Sequence, residues 1–476
     1  MADRCFTRLL PWFAAALLCP AWGASGGIEQ DISAVLRDPY FKNVKAGVKI
    51  VRLSENPATE STVLFEHQPA LALIPASNLK LITTAAALEK FGPDFRYRTS
   101  LLQKGASLAI IGDGDPTLGD AELLKPLGWH STTLFKKWAA ALSERGLKSA
   151  DELLVDDSIF DNTFVHPNWP TDQLHKRYVA GVGGLNFNAN CLDFYLETRG
   201  VGEKVAFTIE PQTEYAPVQN ECVQGSRSAV WLSRMPGARE IILRGQIDRS
   251  NQEAISVTID DPGLFAGHAL RDAFGRGNIA IAKAPERQKV TPADGWQTLA
   301  VHETPIEQVL ARANKDSMNL YAEALCKRLG QAETGEPGSW PSGTAAIGNY
   351  LKSIGIPAEQ FTLDDGCGLS RKNTISADAV VQVLQREFAA PHRELYLRTL
   401  AVAGVDGTLK DRFSSSRLRE RVLAKSGFID GVSSLSGYVK AADGQWYAFS
   451  ILFNGIAKGT NSTAKRMQEK IVEAIQ

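Results

Sequence analysis

Ser77 and Lys80 are three positions apart in a segment whose composition favours a buried helix. Pro75 can occupy the first turn of such a helix, and Gly92-Pro93 can end it. The spacing places both side chains on one face, where the amine could take the proton of the serine hydroxyl. Burial among apolar residues would lower the pKa of the lysine, as a base at neutral pH requires. The Ser-x-x-Lys pair alone is common in helices, so this chemistry needs support from other motifs.

A second polar motif, Ser317-Met318-Asn319, lies between two helical patterns. Ser317 or Asn319 could simply cap the helix that follows. The two interpretations are compatible, because a loop held rigidly by capping can also aim a hydroxyl and an amide into a cleft.

A third motif, Lys425-Ser426-Gly427, enters an apolar strand. The lysine could serve only to keep an exposed sheet edge from aggregating. Alternatively, the glycine would let a substrate lie against the strand backbone, and the serine hydroxyl could bind a carboxylate.

The order of the three motifs is the one found in β-lactamases and penicillin-binding proteins, with Ser426 in place of the usual threonine. The chain resembles the class C low-molecular-mass penicillin-binding proteins, the D-alanyl-D-alanine carboxypeptidase/endopeptidase family. A long insert between the first two motifs is typical of that family. Five further stretches carry the resemblance over nearly the whole chain: Ile74-Pro75-Ala76-Ser77, Gly114-Asp115-Pro116-Thr117-Leu118, Leu185-Asn186-Phe187-Asn188, Asp365-Gly366-Cys367-Gly368-Leu369-Ser370-Arg371 and Ala403-Gly404-Val405-Asp406-Gly407-Thr408-Leu409.

The resemblance implies a catalytic role for five residues. Ser77 would attack the carbonyl of the penultimate D-alanine, and Lys80 would take its proton. Ser317 would help to pass that proton to the leaving amine. Asn319 would hold the substrate peptide or Lys80, and Lys425 would supply positive potential. Water would then hydrolyse the acyl-enzyme, and no cofactor or metal is implied.

Substrate binding is implied for Ser426, Gly427 and Phe428. Ser426 would bind the terminal carboxylate, Gly427 would permit close approach, and the backbone N–H groups of Ser77 and Phe428 would form an oxyanion hole. The chain departs from the family here, because serine lacks the methyl group that limits threonine rotamers. Phe428 replaces a more polar residue, which changes the expected shape of the subsite, and Cys367 stands where the family often has serine.

The implied fold is an α/β (α+β) one, the penicillin-binding-protein/serine β-lactamase-like transpeptidase fold, with an antiparallel sheet flanked by helices, an all-α part and a large mostly-β insert. Residues 24–95 and 291–476 would form a discontinuous DD-peptidase catalytic domain. Residues 96–290 would form the insert, which could comprise two small modules. Strand patterns occur at residues 46–53, 61–66, 153–155, 205–210, 240–245, 254–260, 421–426, 432–439 and 447–453, and helical patterns at 305–314, 319–329, 343–354, 376–388 and 464–475.

The N-terminus predicts an exported, periplasmic protein. Arg4 and Arg8 precede an apolar run over residues 9–18, and Ala21-Trp22-Gly23 offers small residues at the cleavage-defining positions, so that residues 1–23 resemble a signal peptide. The run is shorter than the roughly 20 apolar residues of a membrane-spanning helix. The helical pattern near the C-terminus is balanced in charge, which favours at most peripheral membrane contact.

Net charge and cysteine content restrict the binding partners and the disulfides that we expect. The formal net charge is -1, from 52 basic and 53 acidic residues, which gives no electrostatic reason to expect nucleic acid as a partner. Four cysteines follow the predicted signal peptide, and an oxidising compartment would permit disulfides. Cys191 and Cys222 lie in one strand-rich region and are the favoured pair. Cys326 with Cys367 is the weaker alternative, since both could be buried thiols.

The sequence thus predicts a serine-type peptidase that acts on peptidoglycan stem peptides ending in D-Ala-D-Ala, or on D-Ala cross-links, and that binds β-lactam antibiotics covalently. A non-catalytic peptidoglycan-binding or scaffold protein stays open, because the third motif is variant. A β-lactam hydrolase also stays open. The sequence does not distinguish carboxypeptidase from endopeptidase preference and leaves the oligomeric state undetermined.

Overall fold

A computed structural model describes residues 27–55, 61–235 and 237–475. The predicted signal peptide lies outside these residues. The described chain contains both helices and strands. The α-helices are Ile28–Leu36, Leu79–Phe91, Ala121–Leu124, Thr133–Glu144, Pro262–Arg276, Ile306–Asn314, Asn319–Thr334, Trp340–Ser353, Ala377–Ala389, Arg393–Thr399 and Asn461–Glu473.

The main sheet is antiparallel and joins strands from both ends of the chain. Lys45–Arg52 lies between Trp446–Asn454 and Thr62–His67, so that a strand near the N-terminus pairs with a strand near the C-terminus. The strand order is Ala401–Val402, Val422–Ile429, Val432–Lys440, Trp446–Asn454, Lys45–Arg52 and Thr62–His67.

Both faces of the main sheet are covered by helices, because side chains alternate between two cores along each strand. Phe449, Ile451 and Phe453 pack against the helices Ile28–Leu36 and Asn461–Glu473. Ala448 and Leu452 face the other core, which contains the helix that begins at Leu79. The predicted central strands and helices are therefore present, and their apolar spacing explains the three-layer arrangement.

The segment between the first two motifs contains several smaller sheets. A five-stranded sheet has the order Glu286–Arg287, Glu152–Asp156, Ser107–Ile111, Arg96–Lys104 and Gln297–Pro305. A second sheet joins Ile255–Thr258, Cys191–Glu197 and Ala206–Glu210, and a third contains Val218–Asn220, Val223–Gln224, Ala229–Arg234 and Ile241–Ile247. The sheets share one hydrophobic core with two helices that the sequence analysis did not predict, Thr133–Glu144 and Pro262–Arg276.

The predicted Cys191–Cys222 disulfide is wrong. Both residues are free, buried thiols, and so are Cys326 and Cys367. Cys191 begins a strand of the three-stranded sheet, whereas Cys222 lies between two strands of the neighbouring sheet. Shared strand-rich surroundings therefore did not establish the backbone proximity that a disulfide requires. Burial raises the pKa of the Cys191 thiol to about 12, which keeps it protonated.

The C-terminal helix Asn461–Glu473 turns its apolar face inward. Met467, Ile471 and Val472 are buried in the core beneath the main sheet. Packing within the protein therefore accounts for its amphipathic pattern. None of the helices in the described part of the chain is long and apolar enough to cross a membrane.

Candidate active site

Ser77 lies where a short 3₁₀ turn, Ala76–Asn78, leads into the helix Leu79–Phe91. The turn packs directly against the strand Val422–Ile429, and Gly427 allows this close approach. A Cβ atom on Gly427 would lie only 2.9 Å from both the backbone nitrogen of Ser77 and the carbonyl oxygen of Pro75. The glycine of the third motif thus brings the first motif and the sheet into backbone contact.

Lys80 is fully buried one turn after Ser77. Its Nζ lies 2.9 Å from Ser77 Oγ, 2.7 Å from Asn319 Oδ1 and 3.0 Å from the carbonyl oxygen of Cys367. Burial lowers the pKa of Lys80, although Cys367, Glu323 and Asp365 act in the opposite direction. The apolar helix predicted from the sequence therefore creates the environment that a neutral lysine needs.

The hydrogen-bond partners of Lys80 determine how the N–H groups of its neutral amine are directed. The oxygens of Asn319 and Cys367 are carbonyl acceptors, so each requires an N–H from the amine. A neutral amine has two N–H groups and one lone pair. With both N–H groups directed at these carbonyls, the lone pair faces Ser77 Oγ, as a base for the serine proton must.

Lys425 and Ser317 form a second pair of buried amine and hydroxyl. Lys425 is fully buried, and its Nζ donates to Ser317 Oγ at 2.8 Å and to the Ser426 carbonyl at 2.7 Å. Burial and the nearby Lys80 lower the pKa of Lys425 well below its usual range. Ser317 has a positive φ of 59°, which directs its side chain out of the preceding helix and toward the sheet.

Asn78, between the nucleophile motif residues, joins the helix to the sheet. Its Nδ2 donates to the Lys425 carbonyl at 2.7 Å, and its Oδ1 accepts from Ser436 Oγ at 2.6 Å. Asn78 is fully buried. The side chain that separates Ser77 from Lys80 in sequence therefore fixes the distance between the first and third motifs.

An open cavity of about 620 Å³ lies over Ser77, Ser317 and Asn319. Phe428 forms part of one wall and is half exposed. Lys80 and Lys425 lie buried beneath the cavity floor. The remaining lining residues come from three segments of the chain: Asn168, Pro170, Gln173 and Tyr178; Gly368, Leu369 and Arg371; and Ile429 and Asp430.

One wall of the cavity comes from the segment between the first two motifs. Asn319 Nδ2 donates to the backbone carbonyl of Tyr178 at 2.7 Å, while Asn319 Oδ1 accepts from Lys80. The amide of Asn319 thus connects the lysine to the insert. The sequence analysis missed Tyr178, because a contact through a backbone carbonyl leaves no characteristic side chain in the sequence.

Two buried carboxylates that the sequence analysis also missed, Glu323 and Asp365, lie behind Lys80. Burial and the neighbouring Asp365 raise the pKa of Glu323 to about 7. Together with the thiol of Cys367 they form a compact group of candidate metal ligands. Their oxygens, however, already accept hydrogen bonds from Trp340, Trp169 and the backbone N–H groups of the 366–370 loop. This arrangement is suited to holding a loop rather than to binding a metal ion.

The chain is similar in sequence or in fold to several known proteins. The D-alanyl-D-alanine carboxypeptidase of Actinomadura sp. strain R39 is 31% identical over 457 residues, which cover 90% of this chain and 81% of the relative. Penicillin binding protein 4 from Haemophilus influenzae has a similar fold, with a TM-score of 0.75, 23% identity and coverage of 93% of this chain and 98% of that one. The peptidoglycan endopeptidase Bd3459 of Bdellovibrio bacteriovorus matches at a TM-score of 0.53 and 14% identity, over 91% and 92% of the two chains.

These similarities confirm the predicted fold. The model of the D-Ala-D-Ala carboxypeptidase 3 (S13) family matches residues 28–475. The resemblance carried by the three motifs is thereby confirmed, and the chain belongs to the D-Ala-D-Ala carboxypeptidase 3 (S13) family of serine peptidases.

Proposed function

We propose that the protein cleaves D-alanyl-D-alanine bonds of peptidoglycan stem peptides through an acyl-enzyme on Ser77. The observation that carries this proposal is the buried Lys80 amine 2.9 Å from Ser77 Oγ, with two carbonyl acceptors for its N–H groups. A serine hydroxyl is a weak nucleophile unless a base removes its proton. Lys80 supplies that base without requiring a histidine or a metal ion.

Acylation begins when Ser77 Oγ attacks the carbonyl carbon of the penultimate D-alanine and its proton passes to Lys80 Nζ. In this proposal the tetrahedral oxygen accepts hydrogen bonds from the backbone N–H groups of Ser77 and Phe428. Support comes from the close approach of the Ser77 nitrogen to Gly427, the residue before Phe428. The C–N bond then breaks. The proton reaches the leaving amine through Ser317, whose hydroxyl contacts Lys425.

The third motif binds the end of the substrate. Ser426 donates to the terminal carboxylate, and Lys425 beneath it provides positive potential. Water then attacks the acyl carbon, Lys80 again accepts a proton, and the Ser77 oxygen leaves with that proton restored. The same steps remove a terminal D-alanine or open a cross-link, because both reactions cleave the bond that follows a D-alanine.

A domain organisation is part of this proposal. We propose that residues 24–95 and 291–476 form the catalytic unit and that the insert, residues 96–290, completes the substrate site. Support comes from the wall that Asn168 and Tyr178 contribute to the cavity. We further propose that the signal peptide at residues 1–23 directs export to the periplasm. Peptidoglycan is accessible in that compartment.

Labelling with a fluorescent penicillin tests the acyl-enzyme. Wild-type protein is expected to be labelled covalently, and Ser77→Ala is expected to remain unlabelled while folded. Absence of labelling in folded wild-type protein would favour the scaffold alternative, and labelling of Ser77→Ala would refute the assigned nucleophile. Rapid release of the label would favour a β-lactam hydrolase. Digestion of purified muropeptides then distinguishes release of D-alanine from loss of cross-linked dimers.

A further inference from the structure

Glu323 is a buried carboxylate whose hydrogen bonds the catalytic steps above do not use. It lies one helical turn after Asn319 and is fully buried. Its oxygens accept from Trp340 Nε1 at 2.7 Å, from the Gly366 N–H at 2.9 Å and from the Cys367 N–H at 2.7 Å. A buried carboxylate with three donors is a costly arrangement, and such groups are stable only when these bonds are made.

The bonds of Glu323 fix the peptide group that Lys80 contacts. Glu323 holds the N–H of Cys367, and the carbonyl of the same residue accepts from Lys80 Nζ at 3.0 Å. Asp365 holds the other side of this loop through the N–H groups of Gly368 and Ser370, at 2.7 and 2.6 Å. Hydrogen bonds from the flanking N–H groups to the two carboxylates thus fix the position of the Cys367 carbonyl.

Among the neighbours of Lys80, Glu323 is best placed to control the orientation and the protonation of its amine. Lys80 is faced by Cys367, Glu323 and Asp365 and by the second amine, Lys425. Glu323 itself is faced by Asp365, Cys367, Cys326 and Lys327, with Lys327 already paired to Asp161. Asp365 distributes its oxygens over five donors, among them the Cys367 thiol, whereas Glu323 contacts the Cys367 peptide directly.

We propose that Glu323 is a positioning residue for Lys80: it fixes the Cys367 carbonyl as an acceptor and directs the amine lone pair at Ser77. The charge of Glu323 also raises the pKa of Lys80. This inference rests on the proposed function, in which neutral Lys80 is the base. Loss of the carboxylate charge therefore allows Lys80 to become neutral at lower pH.

The test compares Glu323→Gln with Glu387→Gln, using the second-order rate of acylation by a fluorescent penicillin from pH 5 to 10. Glu387 is an equally buried glutamate on another helix, bonded to His392 and Tyr350. We expect the acid limb of the Glu323→Gln profile to move to lower pH, most clearly above about pH 7, where wild-type Glu323 carries its charge. The Glu387→Gln profile keeps the wild-type midpoint. An unchanged midpoint in folded Glu323→Gln overturns the inferred charge effect.

Glu323→Asp separates the effect of the hydrogen bond to Cys367 from the effect of the carboxylate charge. This variant also provides a test if Glu323→Gln does not fold. Aspartate keeps the charge but is one methylene too short to reach the Cys367 N–H. We expect acylation to slow roughly tenfold, as for the loss of one charge-assisted hydrogen bond, with the midpoint of the pH profile unchanged. Wild-type rates in Glu323→Asp would overturn the positioning role. Labelling of Ser77→Ala would instead overturn the proposed function, so the two failures are distinguishable.

Discussion

Gly427 offers a sharp test of how the site is assembled. A methyl group at this position would overlap Ser434 Oγ and would lie 2.9 Å from the Ser77 nitrogen and the Pro75 oxygen. Ordinary van der Waals contact begins at 3.4 Å, so that the strand and the 3₁₀ turn must separate by about half an ångström. Ser434 cannot simply rotate away, because its hydroxyl donates to the Pro75 carbonyl at 2.6 Å.

The Gly427→Ala substitution should therefore affect both stability and chemistry. Overpacking of a closely packed interface costs about 1–3 kcal/mol. A displacement approaching 1 Å at reacting groups can cost about a hundredfold in rate, so a movement half as large should slow acylation by at least about tenfold. The displaced atom is the Ser77 nitrogen, a proposed oxyanion donor. The decrease in rate should therefore affect the acylation step.

Stopped-flow acylation by a fluorescent penicillin measures the rate, and thermal unfolding measures stability. Gly348→Ala is the matched control, because the nearest atom to its new methyl group is 3.6 Å away and the residue lies within the helix Trp340–Ser353. The control should keep the wild-type rate and gain stability from the better helix former. Gly427→Ala with both the rate and the unfolding temperature of the wild type would refute the reasoning.

Three further predictions concern burial. Asp120→Asn should destabilise the protein by about 3 kcal/mol, because the buried Arg312 guanidinium loses its buried carboxylate partner, 2.9 Å away, and keeps only the more exposed Asp316; an unchanged denaturant midpoint would contradict this. Alkylation of unfolded, unreduced protein should modify Cys191 and Cys222 completely, and a mass spectrum with a linked peptide pair would disprove the free thiols. Acylation should rise with pH through a midpoint below 10.5, since burial lowers the pKa of Lys80; a midpoint at or above that value in a rate–pH profile would show that the lysine is not desolvated.

The sequence predicted those parts of the site in which chemistry depends on side-chain identity. Ser77, Lys80, Ser317, Asn319 and Lys425 are recognisable as residue types at fixed local spacings, and the structure brings them together as hydrogen-bonded neighbours. The strands at the C-terminal end were also predictable, because Asp430-Gly431 and Asp443-Gly444 mark the turns between them and each strand is longer than six residues.

Other features could not be predicted because they depend on tertiary contact. Tyr178 participates through its carbonyl, which any residue could supply. Glu323 lies in a helical segment where a glutamate is ordinary, and only its burial distinguishes it. The helix Thr133–Glu144 follows a region dense in turn residues, and its packing against Phe187 involves residues far along the chain. The Cys191–Cys222 prediction failed for the same reason, since the two residues lie in one strand-rich region but Cys191 begins a strand of one sheet and Cys222 lies between two strands of another.

The position of Lys45–Arg52 inside the main sheet has a consequence for folding. Its neighbour is Trp446–Asn454, and the nearby contact between Asn78 and Lys425 spans 347 residues. Contacts of such high sequence separation form late, because the entropy of closing the intervening loop must be lost first. Until the strands from both ends of the chain have joined, Lys80 lacks the burial that lowers its pKa. The proposed nucleophile and base are therefore assembled only when the two ends of the chain have met in one sheet.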